Sequence, residues 1–135
     1  MVAQSLRKVG ERSSDVAYAL FRILVGLMFF QHGAQKLFGW FGGKAVTELA
    51  SLMGAAGVIE FFGGLLIALG LFTRSTALVA GVEMLYAFIV VHSIGNKTVI
   101  PIVNNGELAL LYFATFLVLM TYGPGIWSLS RALKK

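Results

Sequence analysis

The sequence predicts an all-α integral membrane protein: four transmembrane helices in one bundle, with both termini in the cytoplasm. Three observations carry that expectation. Of the 135 residues, 58% are hydrophobic and only 13% charged, with a mean hydropathy of +0.83. Soluble domains carry about a quarter charged residues, and a chain this short has too small an interior to hide so much apolar surface from water. Four stretches have the ~20-residue apolar length that crosses a ~30 Å hydrocarbon layer as a helix. They are continuous and do not alternate with period 2, which excludes barrel strands.

The first span covers about 16–38, and its charges are Arg22 and, at its end, Lys36. Ser13, Ser14 and Asp15 read as its N-terminal cap. Arg7, Lys8 and Arg12 give it a basic start like that of a secretory leader. The apolar stretch is too long for one, Arg22 interrupts it, and no small-x-small site follows cleanly, so it reads as a retained span. Gly39, Gly42 and Gly43 then break the chain, with Trp40 and Phe41 suited to an interface. The second span, about 49–72, carries one charge, Glu60. Thr73, Arg74 and Ser75 read as a tight turn into the third, about 75–94, which carries Glu83 and His92. The longest inner connection runs from Gly95 to Asn104 and contains Pro101. The fourth span, about 105–122, has Glu107 near its start, and Gly123-Pro124-Gly125 ends it. No repeat or linker divides the chain, so residues 1–135 read as one domain.

The charge distribution sets the orientation. Arg7, Lys8, Arg12, Arg74, Arg131, Lys134 and Lys135 fall on one side, against Lys36, Lys44 and Lys97 on the other. The side richer in Lys and Arg faces the cytoplasm. The net charge of +5 does not point to nucleic acid, because the basic residues edge the apolar blocks and form no single patch. The absence of cysteine excludes disulfides, thiolate nucleophiles, cysteine-ligated zinc and cysteine-held iron–sulfur clusters.

Ionisable groups deep in a bilayer cost at least ~2.5–3.5 kcal/mol each, so they face the bundle interior and find partners. Arg22, Glu60 and Glu83 come from three separate spans. They read either as a buried ion-pair network that orients the helices or as a proton relay or polar ligand site. No other cation is expected at their depth, so Arg22 is expected to pair with Glu60, Glu83 or both. At about 100° per residue, Arg22, Gly26, Phe29, Gly33 and Lys36 share one stripe of the first helix. Gly57, Glu60, Gly63 and Gly64 share one of the second, and such small residues make a packing face. Glu83 and His92 fall on opposite faces of an ideal helix, so they reach one partner only if the third helix bends or is buried on both sides.

His32, Lys36, His92, Asn105 and Glu107 belong to the outer half. With Glu60 beneath, they are candidates for a ligand pocket, walled by Phe29, Phe30, Tyr86 and Tyr112, whose chemistry suits a quinone head group. Metal binding is not expected: no His-x-x-x-His or Glu-x-x-His spacing occurs. Haem ligation by His32 and His92 is weaker still, and hydrogen bonding to Asn104 or Asn105 is the plainer role for the histidines. Phosphate-cradling loops, dinucleotide-binding fingerprints and nucleophile elbows are absent.

Three blocks resemble the DoxX family of small four-span membrane proteins. They are Arg22 to Gly43, centred on Gln31-His32-Gly33-Ala34-Gln35-Lys36-Leu37-Phe38-Gly39; Gly57 to Arg74, GVIEFFGGLLIALGLFTR; and Asn104 to Leu129, with Asn-Asn-Gly-Glu-Leu-Ala and Gly-Pro-Gly-Ile-Trp-Ser-Leu. The resemblance implies a helical bundle in the cytoplasmic membrane. It also implies association with quinone-linked thiosulfate oxidation or with oxidoreductase assemblies that have sulfur-transfer or superoxide-handling partners. Arg22, His32, Lys36, Glu60 and Glu107 match its characteristic polar positions, without a catalytic assignment. The connection from Gly95 to Asn104 is shorter than in many relatives, which bears on any pocket lid there.

The function expected on these grounds is that of a redox-associated membrane subunit, an oxidoreductase component if it is an enzyme. It would hold a quinone or similar lipophilic molecule, with the bilayer, redox proteins and further copies of the chain as partners. Two alternatives stand beside it: a small oligomeric transporter with Glu60 and Glu83 as proton-coupling carboxylates, and a non-catalytic scaffold or assembly factor using its glycine faces.

Overall fold

The structure is a computed structural model describing residues 1–134, and among these every regular element is helical. Helix α1 is Val2–Phe38, α2 Leu52–Leu69 and α3 Thr73–Tyr86, which continues as a π-helix over Ala87–Ile94. Then come α4, Pro101–Asn104, α5, Glu107–Tyr122, and α6, Leu129–Ala132. Among the described residues, Val2–Phe38, Leu52–Leu69 and Thr73–Ile94 are long and apolar enough to cross a membrane, and α5 is shorter, at 16 residues. Lys135, counted above among the basic residues, lies outside the described residues.

The surface is inverted relative to a soluble protein. Leu20, Leu24, Leu27, Phe62, Val79, Val82 and Leu111 face outward, while Arg22 and Glu60 are buried. Such a coat is at home in hydrocarbon, where charged groups turn inward.

Glycine sets how α1 and α2 pack. The two run antiparallel, with Gly26 against Ala68, Phe30 against Gly64, Gly33 against Phe61 and Leu37 against Gly57. A Cβ on Gly26, Gly33 or Gly64 would collide with the backbone nitrogen of Ala68, Phe61 or Phe30 on the facing helix. The backbones therefore touch, which only a missing side chain allows. Gly57, Gly63 and Gly70 are also used internally, against Leu37, Thr76 and Ser128. Helix α5 lies along α3, and Phe29 of α1 closes the core, its ring 4.8 Å from Phe116 and 5.3 Å from Tyr112.

One end of the molecule is stapled by side chains that cap carbonyls. Tyr18 donates its hydroxyl to the Gly123 carbonyl at 2.6 Å. Arg74 donates to the carbonyls of Met120, Thr121 and Tyr122, the last ones of α5, where the helix dipole favours a cation.

Two boundaries differ from expectation. Helix α1 begins at Val2, so Ser13 and Ser14 do not cap it. Their hydroxyls donate back to the Val9 and Gly10 carbonyls at 2.9 and 3.0 Å, a bond that lets serine sit inside a helix. The turn between α2 and α3 is Gly70–Phe72, not Thr73–Ser75. Gly70 takes φ 70 as the cap of α2, a conformation glycine adopts without strain. Arg74 is thereby inside α3, placed to reach α5.

Candidate functional site

The antiparallel register carries the last turn of α1 level with the middle of α2. There Lys36 Nζ donates to Glu60 Oε2 at 2.5 Å. The Glu60 side chain is 4% exposed and that of Lys36 25%. Helix α3 adds Glu83, whose carboxyl lies beside that of Glu60. Both Glu83 oxygens are buried, and neither has a hydrogen-bond partner among the described residues.

These groups line a cavity of about 650 Å³ shared by α1, α2, α3, the π-helix and α5. His32, Lys36, Glu60, Glu83, His92, Asn105 and Tyr112 all border it. The remaining wall is apolar, including Phe29, Met53, Ile59, Met84 and Val90. Met53, Val82, Tyr86 and Val90 also belong to the exposed apolar coat, so the cavity opens sideways through that coat. His32 packs edge-on against Tyr112, with ring centroids 5.9 Å apart.

The π-helix explains how Glu83 and His92 border one cavity. A π turn bonds i to i+5 and packs more residues per turn, so it rotates the chain less per residue than an α-helix. Across Ala87–Ile94 the lag swings His92 back toward the side of Glu83, and no bend of the helix is needed. Asn104 then locks the chain beyond. Fully buried, it donates to Ser93 Oγ at 3.3 Å and to the Thr98 carbonyl at 3.0 Å, and it accepts from Gly106 N at 2.7 Å. Its own carbonyl lies 3.2 Å from His92 Nδ1. Asn104 is the site residue that sequence reasoning undervalued. Its signal was Asn104-Asn105-Gly106, in which an Asn side chain bonds the backbone two residues on.

Three expected residues stand apart from the cavity, the first being Phe30, which packs against Phe61 of α2 with ring centroids 4.6 Å apart. Glu107, at the start of α5, is exposed and does not border it. Arg22 pairs with neither carboxylate, which corrects the expected network. It donates instead to the carbonyls of Ala68, Pro124, Ile126 and Trp127. The register is the reason: Arg22 faces the C-terminal end of α2 at Ala68, about 12 Å along the axis from Glu60 at 1.5 Å per residue. Lys36 is the cation at the level of Glu60. Among the described residues no three His, Asp or Glu side chains gather into a metal site.

Residues 17–93 match the DoxX family pattern. Among curated proteins, one from Haemophilus influenzae with no assigned function is 40% identical, over 87% of this chain and 90% of its own. The inner membrane protein YqjF of Escherichia coli is 34% identical, over 93% of this chain and 98% of its own. CatD of Bacillus subtilis, provisionally named an oxidoreductase, is 29% identical over 83% of each chain. No solved structure matches. With the apolar coat, the buried charges and these relatives in agreement, the chain is a multi-pass membrane protein and belongs to the DoxX family.

Proposed function

We propose that the protein is a redox-associated subunit of the cytoplasmic membrane whose cavity binds a quinone or a similar lipophilic molecule. One observation carries this reading: an apolar cavity, open sideways through the lipid-facing coat, converges on Lys36, Glu60, Glu83, His32 and Tyr112. Ligand sites are mostly apolar, with a few placed polar groups that fix orientation. A molecule with an apolar body and a small carbonyl-bearing head matches that division. Lys36 and the imidazole of His32 would donate to such a head, and Phe29, Met53 and Ile59 would flank its body. When bound, a quinone supplies the electron carrier that a chain without cysteine lacks. The provisional oxidoreductase name of CatD supports the redox side of the reading.

The arrangement in the membrane belongs to the same proposal. Helix α5 acts as the fourth crossing. Its 16 residues reach about 24 Å at 1.5 Å each, and Asn104 and Gly106 complete the path beyond its N-terminus. The end stapled by Tyr18, Arg22 and Arg74 faces the cytoplasm, with Arg7, Lys8, Arg12 and Arg131 beyond it. The cavity then lies in the outer half. The partners are the bilayer, redox proteins and further copies of the chain.

The test is extraction of the detergent-purified protein and mass spectrometry of what it retains. A quinone found in near-stoichiometric amount, together with a raised unfolding temperature on adding ubiquinone, supports the reading. Protein that retains none and gains no thermal protection refutes it.

A further inference from the structure

The floor of the cavity holds two buried carboxyls and, beside them, one partly exposed ammonium group. Glu60 is satisfied on one oxygen by Lys36. Glu83 lies against Glu60 with both oxygens buried and unpartnered. Ionised carboxylates only accept hydrogen bonds, whereas a protonated carboxyl also donates one. Two adjacent ionised carboxylates would leave Glu83 with no donor and the floor with an uncompensated negative charge in an apolar wall. Of two carboxylates that share a buried apolar site, one is driven to hold its proton.

We infer that a single proton bridges Glu60 and Glu83, with Glu83 donating its O–H to Glu60 and Lys36 donating to the far side of Glu60. The chain Glu83–Glu60–Lys36 then carries no net charge, and of its four carboxyl oxygens only the carbonyl oxygen of Glu83 is left without a partner. The other titratable groups bordering the cavity are His32 from α1, Tyr86 from α3, His92 from the π-helix and Tyr112 from α5. Among the described residues none of them bonds to either carboxyl, and Lys36 alone forms an ion pair there. The floor is thus a proton store whose outer terminus, Lys36, is its most exposed member. It follows, resting on the ligand reading above, that the occupant has an uncharged head. An anionic head would meet a neutral floor whose one cation is already engaged.

Infrared spectroscopy of the purified protein tests this directly. Six Asp and Glu residues occur in the chain, and the four besides Glu60 and Glu83 are exposed. A protonated-carboxyl stretch at neutral pH, shifted in D2O, therefore reports on this pair. The band is expected in the wild type and lost in Glu83→Gln. It is also lost in Glu60→Gln, because Lys36 then pairs with Glu83 as a carboxylate. In Lys36→Met it grows, to about twice its size if both carboxyls become neutral. A wild-type spectrum without the band overturns the inference even where a variant fails to fold. So does a band that survives Glu83→Gln. Protein that shows the band but retains no ubiquinone keeps the shared proton and refutes only the ligand reading. Bound quinone without the band does the reverse.

Discussion

Lys36 and Glu60 meet at 2.5 Å across the glycine-lined interface of α1 and α2, and they form the ionic contact at the base of the cavity. They are 24 positions apart in sequence, and the antiparallel register alone brings them together. Lys36→Met leaves Glu60 without its cation in an apolar wall. Breaking a buried pair by removing one partner costs 3–5 kcal/mol; about 3 kcal/mol is expected here, because a quarter of the Lys36 side chain is open to screening. Thermal unfolding in detergent measures this. The double variant Lys36→Met with Glu60→Met is expected to recover most of the loss, since an apolar pair replaces an ionic one. A single variant as stable as wild type would show that the pair contributes nothing.

Neighbouring glycines are expected to behave differently. Gly64→Ala drives a methyl into the Phe30 backbone, and backbone on a packed helix does not move aside. Overpacking of this kind costs about 1–3 kcal/mol. Gly63→Ala meets only the Thr76 methyl at 3.4 Å and Phe29 at 3.8 Å. It is expected to stay within about 0.5 kcal/mol of wild type. Unfolding temperatures of the two variants, measured side by side, decide the matter.

Arg22 acts as a carbonyl clamp, so its loss is expected to loosen the segment it holds. Arg22→Ala orphans the carbonyls of Pro124, Ile126 and Trp127, at about 1–3 kcal/mol for a buried acceptor left unpaired. Faster hydrogen exchange over 123–128 and faster tryptic cleavage at Arg131 are the expected readouts. Arg22→Lys is expected to rescue only in part, because an ammonium cannot span the fork that guanidinium makes. Unchanged exchange over 123–128 in Arg22→Ala would refute the clamp.

Asn104 is expected to govern the rim of the cavity. Asn104→Ala removes two donated bonds and one accepted bond within 93–106. Exchange should rise over 95–106 while α1 and α2 stay protected. If ubiquinone protects the wild type against heat, this variant should show less protection.

The absence of cysteine makes the orientation easy to test. Thr47→Cys lies between α1 and α2, and Ser5→Cys near the start of α1; both positions are exposed. In intact cells a membrane-impermeant maleimide should label Thr47→Cys, and should label Ser5→Cys only after permeabilisation. The opposite pattern would invert the proposed topology.

The membrane class of the chain was legible because hydropathy and helix length are local quantities, read off 58% hydrophobic residues in long runs. The glycine faces of α1 and α2 were legible for the same reason, since helical spacing places Gly26 beside Gly33 and Gly57 beside Gly64 without knowledge of any partner. The candidate residues His32, Lys36, Glu60, His92 and Asn105, read as polar groups in or beside apolar spans, border one cavity, whereas Glu107, read the same way, does not. Pairing was not legible. Arg22 was matched to carboxylates by estimated depth, and that estimate took no account of backbone carbonyls, which can satisfy a buried guanidinium as well as a carboxylate can.

What the amino-acid sequence by itself determined is which segments are oily, which way their helical faces point and which few charges must turn inward, because these follow from the transfer energy and spacing of each residue. Tertiary structure alone decided which charge meets which. The α1–α2 register rests on backbone contacts at Gly26, Gly33 and Gly64, and it hands Glu60 to Lys36 instead of Arg22. The π turns of Ala87–Ile94 turn His92 toward Glu83, and no local pattern in those residues announced them.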